Sequence, residues 1–185
     1  MNHIVGFITG HSVRGCTGLS QQQRAFQRLS IVPQANWLRY NFPWKETFPF
    51  PERLQLLSAS INNVSQYLCS QTATFRAKHR TEVVVRLEGI DAVILLAGSC
   101  GLELLNNLKL PVETRRRLHV FAYGPVSRRQ PDVASYFLVQ GDLDLISQTF
   151  HREVDARIDC AHMDYLEKVE TLRLFEAFYR SVVLP

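Results

Sequence analysis

Six consecutive apolar residues, Ala92-Val93-Ile94-Leu95-Leu96-Ala97, run without a break into four small ones, Gly98-Ser99-Cys100-Gly101. A strand with one wet face alternates apolar and polar residues. An uninterrupted apolar run suits a strand covered on both faces, which is the situation inside a parallel sheet. The small residues that follow are built for a tight turn, and Leu102 to Leu108 then carries the spacing of a helix. Strand, turn and helix in that order form half of a βαβ unit.

The rest of the chain repeats the pattern. Residues 3–9 are an apolar, partly β-branched strand candidate, and they read as a first strand because no basic leader precedes them. A loop with Gly10, Gly15 and Gly18 leads to a helix over 20–29, with Ser20 as its cap. A short strand is expected between Ile31 and Tyr40. The stretch from Asn41 to Pro51 is a proline-rich loop whose Phe42, Trp44, Phe48 and Phe50 either pack on the core or line a cleft. Leu54, Leu57, Ile61, Val64 and Leu68 recur at helical spacing and predict an amphipathic helix over 52–70. Residues 71–82 are polar, and their spacing does not settle their conformation. Further strands are expected at Leu118–Tyr123, Tyr136–Gln140 and 154–158, with a closing helix over about 163–182. Strands alternating with helices predict one α/β domain over 1–185, a three-layer, mainly parallel sheet of about five or six strands with helices on both faces.

Composition closes off several functions. The chain has 185 residues, enough for one core, and is 46% hydrophobic and 21% charged, as in ordinary globular proteins. A surplus of 21 basic over 17 acidic residues gives a net charge of +4, too small to point to nucleic acid. No apolar run reaches the ~18–20 residues of a membrane helix. Cys16, Cys69, Cys100 and Cys160 are scattered, with no Cys-x-x-Cys pair, so free thiols in a reducing cytoplasm and no metal site are expected. No cofactor motif is present.

Chemistry gathers beyond the carboxyl ends of strands in such sheets. Ser99 sits at one of them, with the small Ala97 and Gly101 two positions away on each side. A serine presented on a sharp, strained turn needs that clearance, because bulky neighbours would collide as the chain reverses. The next N–H, that of Cys100, then lies near a developing oxyanion. Cys100 as the nucleophile fits less well, since Leu102 would occupy a flanking position.

The Ala97-Gly98-Ser99-Cys100-Gly101 segment resembles the nucleophile elbow of the α/β-hydrolase family, with Ala in place of the first Gly. Tyr136 to Ser147 resembles that family's acid segment, a strand ending in Gly141 followed by Asp, which selects Asp144 with Asp142 as the alternative acid. Ala161-His162-Met163-Asp164-Tyr165-Leu166 resembles its histidine loop, ahead of the last helix. The order Ser, Asp, His is the family's own. The resemblance implies a reduced α/β-hydrolase fold that lacks the first two strands and any cap insertion. It also implies a second oxyanion donor in the Gly10-His11-Ser12 loop, from His11 or Ser12. The expected activity is that of a serine hydrolase acting on a small ester or thioester through an acyl-enzyme. His162, rather than His151 or His119, is the expected base. The competing reading is a noncatalytic binding or scaffold protein, in which Asp144 caps a helix turn, His162 is a helix-terminal polar residue and His11 braces its own loop.

Overall fold

The computed structural model describes residues 1–11, 13–51 and 56–184, with 56–61 by their backbone alone. Five strands form one all-parallel sheet: β1 (His3–Thr9), β2 (Ala92–Gly98), β3 (Leu118–Tyr123), β4 (Ser135–Gly141) and β5 (Ala156–Ile158). Their spatial order is their chain order, β1-β2-β3-β4-β5, so Ser99 leaves an interior strand.

Side chains alternate across the sheet and feed two cores. On one face Ile8, Val93, Leu95, Ala97, Val120 and Ala122 pack against α3 (Ala73–Arg86) and α4 (Gly101–Leu108) through Phe75, Val83, Leu87 and Leu102. On the other, Phe7, Ile94, Leu96 and Phe121 pack against α1 (Gln21–Leu29) and α7 (Val169–Val183) through Phe26, Phe175 and Phe178. These are the three expected layers. All seven residues of β2 are buried, as the unbroken apolar run requires.

Local signals explain most boundaries. Ser20 caps α1, and Gln23 completes a reciprocal capping box. Thr72 caps α3, so the polar stretch after residue 71 is helical. The strand expected within 31–40 is not formed. A 3₁₀ turn at Gln34–Asn36 is followed by a single bridge from Trp37 to Val5, because the Trp37 ring is drawn under the sheet and stacks on Phe7 at 5.5 Å.

The helix α2 (Leu56–Ser70) also departs from expectation. Residues 52–55 and the side chains of Leu57 and Ile61 lie outside the described residues. Val64 and Leu68, the rest of the apolar stripe, are exposed. Among its described side chains, polar groups also turn inward: Gln66 accepts from the His11 N–H and the Ser70 hydroxyl accepts from the buried Asn107 amide. Short helices α5 (Val112–Arg115) and α6 (Leu145–Phe150) complete the fold. Among the described residues no helix is long and apolar enough to cross a membrane. Phe42 and Trp44 are buried, the Trp44 indole donating to the Phe7 carbonyl at 2.9 Å, whereas Phe48 is half exposed.

Candidate active site

The turn after β2 is closed by contacts that admit no larger residues. A methyl group on Gly101 would lie 1.8 Å from the Ile8 carbonyl oxygen, so β1 and α4 touch backbone to backbone. One on Gly98 would lie 2.5 Å from the Tyr123 ring. Between them Ser99 is forced to φ +52°, the left-handed region that L-residues avoid. Its backbone is held on the other side by the Val126 N–H, which donates to the Ser99 carbonyl at 3.0 Å. The loop carrying Val126 is itself clamped, because the buried Glu103 of α4 accepts from both the Arg128 backbone and its guanidinium at 3.0 Å.

The Ser99 hydroxyl stands 3.0 Å from His162 Nε2. His162 Nδ1 is 2.9 Å from each oxygen of Asp144. An ionised carboxylate can only accept, so this pairing sets the proton on Nδ1 and leaves the Nε2 lone pair to accept from Ser99. A serine, an imidazole and a carboxylate from three separate loops thus form one hydrogen-bonded row. Such a row can move the serine proton onto the ring while the carboxylate holds the ring in place.

Asp144 is almost wholly buried and has further partners. It caps α6, accepting from the Ser147 N–H at 3.0 Å, and it accepts from the Tyr165 hydroxyl at 2.6 Å. Burial pushes its pKa upward. The bonds from His162, Ser147 and Tyr165 outweigh burial, and together they hold the carboxyl below its ordinary value. Helix cap and ring partner, set against each other in the sequence, are therefore both roles of one side chain.

Other sequence candidates fall elsewhere. Asp142 is exposed and stands outside this row. His151 is hydrogen-bonded to Ser127 at 3.0 Å, and His119 to Ser135 at 2.7 Å. The Cys100 thiol is buried and pushed up to about 12 by desolvation, so it stays protonated at neutral pH. Its backbone forms the N-cap of α4, one residue beyond the serine. The His11 N–H donates to Gln66 Oε1 at 2.6 Å, and its ring Nε2 lies 2.5 Å from the Phe42 carbonyl. Burial lowers the His11 pKa, against the opposing pull of that carbonyl. Ser12 lies outside the described residues. Among the described residues, no group of three or more His, Cys, Asp or Glu could hold a metal ion.

Sequence reasoning missed Tyr165, Gln66 and the Glu103–Arg128 clamp. Only Tyr165 had a local signal, three residues after His162 in His-Met-Asp-Tyr.

No family model matches this chain, and no curated protein matches it. Among solved structures it is similar to esterase PE8, at 17% identity and a TM-score of 0.51, over 98% of this chain and 93% of that one. It is also similar to an α/β serine hydrolase without lid from Xanthomonas campestris, at 16% identity and a TM-score of 0.48, over 97% of this chain and 81% of that one. The first likeness is one of fold over nearly the whole of both chains. The all-parallel sheet, its three layers and the order of elements fit a minimal α/β-hydrolase-like fold.

Proposed function

We propose that the protein is a serine hydrolase that cleaves an ester or thioester through an acyl-enzyme, with Ser99 as nucleophile, His162 as general base and acid, and Asp144 as the orienting acid. The observation that carries this reading is the row of bonds from Asp144 through His162 to Ser99, at 2.9 and 3.0 Å, ending on a serine held at φ +52°. Ser99 Oγ bonds to the substrate carbonyl carbon as its proton passes to His162 Nε2. The carbonyl oxygen becomes an oxyanion, with the Cys100 N–H as its first donor. Collapse expels the alcohol or thiol, which takes the proton from His162. A water activated by the same ring then releases the acid and restores the serine.

The second oxyanion donor is the His11 N–H, and it faces a competitor. A substrate oxygen has to take that N–H from Gln66 Oε1. Ser12 is the other candidate from the same loop. The four free cysteines support a reducing compartment, the cytoplasm.

The test is labelling by a fluorophosphonate probe together with hydrolysis of a panel of short-chain aryl esters and thioesters. Wild type should label and turn over, and Ser99→Ala should do neither. A wild type that is folded yet silent in both assays would leave the noncatalytic binding reading in its place.

A further inference from the structure

A second side chain, besides the histidine, bonds to the Asp144 carboxylate. Tyr165 is 1% exposed, and its ring packs on Tyr123 at 5.8 Å. Its hydroxyl does two things at once. It accepts from the Gly141 N–H, the last residue of β4, at 2.7 Å, and it donates to Asp144 Oδ2 at 2.6 Å. Gly124, at φ +53°, is the residue that leaves room for this meeting. A methyl group there would lie 2.6 Å from the Tyr165 ring and 2.9 Å from Asp144 Oδ2.

We propose that Tyr165 is a positioning residue for the hydrolysis, fixing Asp144 against the end of β4 and drawing charge away from the carboxylate. The inference rests on the Ser99–His162–Asp144 reading and goes beyond it. The row of bonds is one member longer than a triad: the sheet backbone fixes the phenol, the phenol fixes the carboxylate, and the carboxylate fixes the ring. Asp144 Oδ1 is held by the Ser147 N–H and Oδ2 by Tyr165, so rotation about the carboxylate bond breaks one of the two. The O–H dipole also lowers the negative charge that Asp144 presents to the imidazolium. It keeps the shared proton on the ring side during the reaction.

The titratable groups that face Asp144 are His162, Tyr165 and the buried thiol of Cys160. Burial raises both the Tyr165 phenol and the Cys160 thiol, the latter to about 11, so neither ionises at assay pH. Neither therefore contributes to a change in the rate profile across the assay range.

The experiment is a cycle of Tyr165→Phe, Asp144→Asn and the double variant, with kcat, KM and pH profiles on an aryl ester. Active sites are counted by fluorophosphonate titration. Losing a hydrogen bond to a charged group predicts a kcat roughly 10- to 100-fold lower for Tyr165→Phe at unchanged KM. With the donor gone, the carboxylate binds the imidazolium more strongly, and the acid limb moves to higher pH. The double variant should be no slower than Asp144→Asn alone. Should the phenylalanine variant fold poorly, 3-fluorotyrosine at position 165 keeps the shape and makes a stronger donor, moving the acid limb to lower pH. Losses that multiply in the double variant, or an acid limb that moves in neither substitution, would overturn the proposal while leaving the hydrolase reading intact. A wild type without turnover or labelling would remove both.

Discussion

Replacing Ser99 by glycine should leave a more stable protein than replacing it by alanine. The two variants share one loss, the 3.0 Å bond to His162, which therefore cancels between them. They differ at the backbone. At φ +52° alanine keeps the left-handed penalty of an L-residue, about 1–2 kcal/mol, whereas glycine carries none. Glycine gives back about 0.5–1 kcal/mol through the greater freedom of its unfolded chain. The difference left is about 0.5–1 kcal/mol in favour of Ser99→Gly. For a chain of this size that corresponds to a melting temperature roughly 1–4 °C higher. Calorimetry or urea titration of both variants at neutral pH measures it. Ala97→Gly, two residues back in the buried strand, serves as the control and should only destabilise. If Ser99→Gly melts at or below Ser99→Ala, the serine is not strained and the turn is not held by the packing of Gly98 and Gly101.

Three further outcomes follow from the same geometry. Asp144→Asn should keep the fold yet lower turnover by up to ~10⁴-fold, because the amide favours the wrong ring tautomer, while Asp142→Asn should have little effect; comparable losses in the two would dissolve the assignment. Gly101→Ala puts a methyl group 1.8 Å from the Ile8 carbonyl and should cost about 3 kcal/mol or more, with loss of probe labelling, as read by denaturant titration and a fluorescent fluorophosphonate. His79, packed against Phe42 and Phe75, is depressed to about 4 by burial, then by Lys78, His11 and Lys45. Its folded form resists protonation more than the unfolded chain does, so its contribution is whole above about pH 6.5 and is lost as pH falls toward about 4. The full shift would be worth ~3 kcal/mol; half burial and solvent screening reduce it to about 1–2 kcal/mol. His79→Phe should flatten melting temperature against pH over that window, and an unchanged slope would refute the assignment.

The strands were legible because burial on two faces leaves a mark in one dimension. Ala92 to Ala97 carries no polar residue, and every residue of β2 is buried. The turn was legible for a similar reason: Gly98 and Gly101 are small where Tyr123 and Ile8 press on them, and smallness shows in a sequence even when the pressing atoms do not. Periodicity was a poorer guide to neighbours. Val64 and Leu68 have helical spacing yet lie exposed, since spacing says which residues share a face and not what that face meets. The strand expected within 31–40 failed because Trp37 found its partner, Phe7, across the fold, and no local pattern encodes that stacking. The same holds at the site. Gln66 reaches His11 across 55 positions and Glu103 reaches Arg128 across 25, so these contacts exist only once the chain is folded.

A sheet whose strands lie side by side in chain order has a consequence in time. About 80 residues separate β1 from β2, whereas about 10 to 20 separate each later pair. Closing the longer loop costs about 1.2–1.8 kcal/mol more in chain entropy. Refolding should therefore join β2 to β5 first, bringing the loops of Ser99, Asp144 and His162 into one nucleus, and dock β1 afterwards. Val5→Ala in β1 should then speed unfolding and barely slow folding, while Val120→Ala in β3 should slow folding. The strand that comes first in the chain is the last to take its place, and it brings the Gly10–His11 edge to a serine already seated beside His162.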